Sequence, residues 1–207
     1  MITETGKGRF DQNQYEMLIR CSEKGNLYEW NQWRKDKKEA PILLEGADLS
    51  GVNLQGADLS SVDLAAAELC KANLRQTRFR YANLKDACLC DADLEGADLV
   101  KVNLVNAELW KANLQGADLF EANLKNAKLI WADLEGADLT KANLKDADLW
   151  KANLIGTRLV AAGVNTKTFI WGCEFDARTD FTGMKLYLAR IDPRLKESLR
   201  RRERSIH

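Results

Sequence analysis

Ala132-Asp133-Leu134-Glu135-Gly136 is followed at once by Ala137-Asp138-Leu139-Thr140-Lys141 and then by Ala142-Asn143-Leu144-Lys145-Asp146. A small residue, a polar one and a leucine thus return every five positions. Extended in both directions, the pattern runs without a break from Leu44 to Val164, which makes 25 units. Leu occupies 23 of the central positions, the others being Phe79 and Val164. Two residues before each centre stands Ala in 19 units, Val at 52, 62 and 102, Thr at 77 and 157, and Ile at 42. The unit is therefore Ala-(Asp/Asn)-Leu-X-X.

A period of five suits neither regular element. On an α-helix five residues advance about 500°, so successive leucines would spiral round every face at about 140° per unit. On a flat strand they would alternate sides. A single core forms if the chain turns a corner every five residues and points Leu and Ala inward from each side of a square coil. Four units then close one turn, and stacked turns pair as short parallel strands about 4.8 Å apart. The 25 units make about six turns and a rod of about 30 Å. Leu fills the axis while Ala leaves the backbone room at the wall.

The Ala-(Asp/Asn)-Leu-X-X units resemble the pentapeptide-repeat family. That resemblance implies an all-β solenoid, a right-handed quadrilateral β-helix of about 6–7 coils. The chain divides into a helical cap at 1–41, a β-helix at 42–191 (regular over 42–166, distorted over 167–191) and a basic helix at 192–207.

Both ends of such a stack expose an apolar disc that needs covering. Tyr15, Leu18 and Ile19, then Leu27, Trp30 and Trp33, have the spacing of two short helices broken at Gly25, with Pro41 before the first unit. Trp30-Asn31-Gln32-Trp33-Arg34 resembles the flank that precedes the first coil in many bacterial members of the family. Past Val164 the frame slips: Phe169 has no Ala two residues before it, Cys173-Glu174-Phe175 restarts out of phase, and Thr179-Asp180-Phe181-Thr182-Gly183 matches again. Asp192-Pro193 predicts an N-cap with proline at the first position of a helix over 193–206. Arg194, Lys196, Arg200, Arg201, Arg202 and Arg204 give that segment a net charge of +3 against Asp192, Glu197 and Glu203. The closing stretch also resembles longer family members that continue into membrane helices, so a soluble part of a longer membrane-associated protein is one reading.

Thirty-one basic and 31 acidic residues leave no net charge, which argues against a nucleic acid or an anionic membrane as partner. The single histidine, His207, removes imidazole catalysis and His-rich zinc sites. Five cysteines do not make a disulfide framework, and no apolar run approaches the roughly 18 residues of a spanning helix, so the expected location is the cytoplasm. No cofactor is expected. The many Asp and Asn before Leu recur on every side with no pocket around them, and no catalytic carboxylate is assigned.

Residues read at intervals of 20 stack vertically. On one side the position after Leu runs Ser50, Cys70, Cys90, Trp110, Ile130, Trp150, Ile170, and its neighbour runs Gly51, Lys71, Asp91, Lys111, Trp131, Lys151, Trp171. Four tryptophans and two isoleucines, flanked by Lys111 and Lys151, form the candidate protein-binding stripe. Two alternatives stand beside it: a terminal segment folded over the stripe, or ladders that only stabilise neighbouring strands. Stacking on nucleic acid bases is opposed by Asp91 and Asp133. Cys70 and Cys90 fall one coil apart and read as stacked free thiols, their parallel side chains suiting a disulfide poorly. Cys88-Leu89-Cys90 has metal-like spacing, but its side chains take different outward positions with no third thiol or histidine, so no metal site is assigned.

The functional reading is a non-catalytic scaffold for an unidentified protein partner, a monomer or an end-to-end dimer. The competing reading, a duplex mimic that binds a type II topoisomerase, follows from resemblance to the quinolone-resistance branch. Residues 42–166 carry a net charge of only −5, interrupted by lysines, and lack the inserted loop and apolar C-terminal helix of that branch.

Overall fold

A computed structural model of the chain describes residues 10–37 and 40–204, with side chains as far as Leu199. Residues 1–9, 38–39 and 205–207 lie outside the described residues, as do the side chains of Arg200, Arg201, Arg202 and Arg204. The elements are helices α1 (Gln12–Glu23) and α2 (Tyr28–Asp36), the repeat array, strands β1 (Phe169–Ile170) and β2 (Arg190–Ile191) with a 3-10 turn (Leu186–Leu188) between them, and helix α3 (Pro193–Arg204).

The array is a four-sided coil. Parallel pairs run Leu43 to Asp63, Asp48 to Glu68, Asn53 to Asn73 and Asp58 to Arg78, and continue at a separation of 20 residues up to Asn143 with Gly163. Paired segments are single-residue bridges rather than continuous strands, because two residues of every five belong to a corner. Each corner is a type II turn: Leu44 accepts from the Ala47 N–H at 3.0 Å, and Gly46, the third residue, has φ +68°. The same left-handed position is occupied by Ser61, Ala66, Lys71 and other L-residues up to Ala161.

In a unit with Asp or Asn before the central Leu, every backbone N–H has a partner, which explains that polar position. In the second coil, the Asp63 N–H donates to Ile42 below at 2.9 Å, while Leu64 and Ala66 donate to Asn83 and Lys85 above, each at 2.8 Å. Ala67 donates to Leu64 across the corner at 3.1 Å. The fifth, Ala65, donates to the Asp63 side chain at 3.2 Å. Where Asp or Asn stands before Leu, it is thus an Asx acceptor for the one N–H the ladder leaves over. Neighbouring members also bond vertically, Asn83 Nδ2 to Asp63 at 2.8 Å and Asn103 Nδ2 to Asn83 at 2.8 Å. Leu and Ala close the core, with Thr77 and Thr157 at Ala positions donating their hydroxyls to Leu54 and Leu134, each at 2.8 Å.

The last coil is enlarged, with Asp148 pairing with Phe169, Asn153 with Glu174 and Arg158 with Asp180. Extra residues enter at two corners, where Thr168 and Thr179 accept from the backbone of Asn165 and Asp176 at 3.0 and 3.1 Å. One expectation is corrected here. Thr168 takes the Ala position and Ile170 the central one, so Ile170 is buried in the core, 1% exposed, instead of lying on the outer stripe.

The N-terminal cap pairs with the first coil's free edge. Trp30 Nε1 donates to Asp58 O at 3.0 Å, and Asn31 donates to Gly56 O at 3.0 Å while accepting from Asp58 N at 2.8 Å. Arg34 Nη2 donates to Ser60 O at 2.6 Å. Gln14 Oε1 of α1 accepts from Leu43 N at 3.0 Å. The Trp-Asn-x-x-Arg pattern therefore substitutes for a coil beneath the first one, closing an edge that would otherwise invite pairing. At the other end, Asp192 caps α3, accepting from Arg194 N at 2.7 Å, and Leu195 is buried against the last coil.

Candidate protein-docking face

The stripe stands on the corner that follows Leu109, Leu129, Leu149 and Ile170. The shifted frame moves Trp171 into the column of Trp110, Ile130 and Trp150, while Gly172 follows Trp131 and Lys151 in the next. The four tryptophans remain 36–48% exposed, and no described segment covers them. Ile130 is half-buried between them, and Lys111 and Lys151 are exposed.

Trp131 and Trp150 meet edge to face with centroids 5.8 Å apart. Lys151 Nζ lies 4.2 Å from the Trp131 ring centre and 4.6 Å from that of Trp150. The lysine ammonium therefore sits against both rings, which stay 48% and 36% exposed. Trp171 stacks on Phe169, centroids 6.0 Å apart and planes within 6°. Phe169 is a member of this face that sequence reading missed, because the frame slip hid its place in the column of polar residues before Leu. Among the described residues the cation–π contacts of this cluster go to Lys151 and not to Lys111.

Beneath the tryptophans on the same side lies a cysteine cluster, and two expectations are corrected. Cys70 is not a free thiol stacked on Cys90; it forms a disulfide with Cys88, Cα atoms 5.8 Å apart, while Cys90 stays free. Nor does the pair at 88 and 90 lack a third thiol, since the three sulfurs all lie within 4.8 Å of one another. Residues before and after a central Leu are two apart on one strand, so both point outward on the same face. The diagonal neighbour of Cys70 in the next coil is therefore Cys88. Burial pushes the Cys90 thiol up, helped by Glu108 and Asp91. Cys173, buried at an Ala position against Leu149 O, is pushed up to about 12 by burial.

Two carboxylates of the array are held by hydrogen bonds from neighbours. Asp48 lies below its usual range because the Ser50 N–H donates to it, and Asp86 because Asn106 does. Among the described residues no helix is long and apolar enough to cross a membrane.

Comparison with known proteins agrees with this architecture. The family model described as pentapeptide repeats matches residues 43–64, 57–96, 91–126 and 122–159, in 8 copies. A trypsin-treated form of QnrB1, a plasmid-mediated fluoroquinolone resistance protein, shares 21% identity, with 79% of this chain and 92% of that chain covered and a TM-score of 0.54. HetL, a pentapeptide repeat protein involved in heterocyst differentiation regulation in the cyanobacterium Nostoc sp., shares 27% identity over 70% of this chain and 80% of that one, at a TM-score of 0.48. A pentapeptide repeat protein from the Arabidopsis thaliana thylakoid lumen shares 33% identity over 51% and 70%, at 0.47. No curated protein sequence matches the chain. With the repeat read in the sequence, closed into coils in the structure and matched by the family model through most of the array, the chain belongs to the pentapeptide-repeat family.

Proposed function

We propose that the chain is a non-catalytic scaffold of the cytoplasm, a right-handed quadrilateral β-helix that presents its tryptophan face to a protein partner. The observation that carries this reading is the alignment of Trp110, Trp131, Trp150 and Trp171 on one rigid face, each more than a third exposed. Rings held on a backbone ladder lose little freedom on binding, which is why aromatic anchors dominate interfaces. A partner that fits would offer an apolar ridge with acidic groups beside Lys111 and Lys151. Duplex mimicry is the weaker reading, because Lys128, Lys141 and Arg158 pair with Glu108, Glu121 and Asp138 across coils and break the acidic surface.

The test is affinity capture from the source cell with the native chain and a Trp110→Ala/Trp131→Ala/Trp150→Ala variant of matched thermal stability. One protein held by the native chain, released by the variant and rebinding in purified form supports the reading. Equal capture by both overturns it.

A further inference from the structure

We propose that Cys70, Cys88 and Cys90, once reduced, form a trigonal thiolate site for a soft, thiophilic cation, Cu(I) by preference. The three sulfurs lie within 4.8 Å of one another on one wall of the rod. A cation held by three sulfurs at about 2.3 Å requires them about 4 Å apart, inside that limit. Small rotations about χ1 therefore suffice.

The backbone that presents them is fixed by the coil ladder, with Leu69 N on Cys88 O at 2.7 Å, Lys71 N on Cys90 O at 2.9 Å and Leu89 N on Glu108 O at 2.7 Å. Such a scaffold sets the ligand spacing before the ion arrives, where a loop would have to be ordered by it. All three cysteines are half-buried, open enough for exchange of an ion. Glu68 Oε2, 4.0 Å from Cys70 Sγ, places negative charge beside the site.

Ligand chemistry selects the metal. The set is all sulfur, and soft thiolates favour Cu(I), whereas a structural zinc site wants four ligands. The Glu108 carboxylate of the next coil is already paired with Lys128 at 2.7 Å. The disulfide makes the site redox-gated. Two equivalents of a small-molecule thiol reduce the Cys70–Cys88 bond, giving two cysteine thiols and one reductant disulfide. Binding of Cu(I) by the three thiols then releases three protons and leaves the metal's oxidation state unchanged.

The experiment uses the full chain, reduced, freed of reductant under anaerobic conditions and checked by thiol count and far-ultraviolet circular dichroism. Cu(I) is titrated in competition with a chromophoric Cu(I) chelator, and Zn(II) in a parallel series. The expected result is one Cu(I) per chain with a thiolate-to-copper charge-transfer band. Cys70→Ser, Cys88→Ser and Cys90→Ser should each weaken binding at least tenfold, and Cys173→Ser should leave it unchanged. The disulfide form should bind only after reduction. The proposal is overturned if the fully reduced chain takes up no Cu(I), if Cys90→Ser binds as tightly as the native chain, or if Zn(II) displaces Cu(I).

Discussion

Lys151 holds its ammonium 4.2 Å from the centre of the Trp131 ring, one coil below it on the same corner. Both residues occupy the left-handed position of their turns, with φ of 55° and 60°. The corner geometry therefore aims the lysine stem down onto the ring. Lys151→Gln keeps the stem and removes the charge, and it should lower stability by about 0.5–1 kcal/mol, as for an exposed cation–π pair. Urea denaturation followed by tryptophan fluorescence measures the change, and an unaltered midpoint would show the contact to be energetically idle.

Ala66 carries a backbone cost of the same kind. Its φ is 54° and its side chain is exposed. An L-residue in that region costs about 1–2 kcal/mol, offset in part by glycine's larger unfolded-state entropy. Ala66→Gly should stabilise the rod by about 0.5–1 kcal/mol, and Ala66→Val should destabilise it. Thermal unfolding of the two variants should move in opposite directions.

Asn31 bonds twice to the edge of the first coil, through Gly56 O and Asp58 N. Asn31→Ala strands both groups, and at about 1–3 kcal/mol for a lost partner it should cost about 2 kcal/mol or more. Asn31→Asp keeps the acceptor and should cost less. Light scattering of the alanine variant should rise, since the uncovered edge can pair with another rod; a monodisperse variant of native stability would contradict the capping role.

Asp192 joins the last coil to α3 by accepting from Gly172 N at 3.2 Å and from Arg194. The Arg194 hydrogen bond holds its carboxyl down at about 2. A folded-state value below the unfolded one means the contribution is complete above about pH 4 and fades as pH falls through about 2. Discounted for the exposed guanidinium, it amounts to on the order of 1 kcal/mol. The difference in melting temperature between native chain and Asp192→Asn should be present at pH 6 and shrink toward pH 2.

The core was legible from the primary structure because one five-residue rule fills it, and a rule that never breaks between Leu44 and Val164 admits one closed arrangement. The candidate face was legible in most of its members for the same reason. Trp110, Ile130, Trp131 and Trp150 follow from adding 20 to a residue number. Ile170 and Phe169 did not follow, since an extra residue at the Asn165–Thr168 corner exchanges inward for outward beyond it. The cap's composition announced two short helices. That Trp30, Asn31 and Arg34 supply hydrogen bonds to Asp58, Gly56 and Ser60 could not be read, because those groups are unpaired only once the coil has closed.

By itself the sequence determined the period, the inward residues and the columns of the rod, since each depends on contacts that repeat at a fixed separation along the chain. Only the tertiary structure decided which residues meet diagonally across coils. Cys70 finds Cys88 rather than Cys90, and Lys151 covers both Trp131 and Trp150. The reason is geometric: a linear count orders residues along columns, whereas side-chain contact depends on where each outward bond points from a strand or a corner.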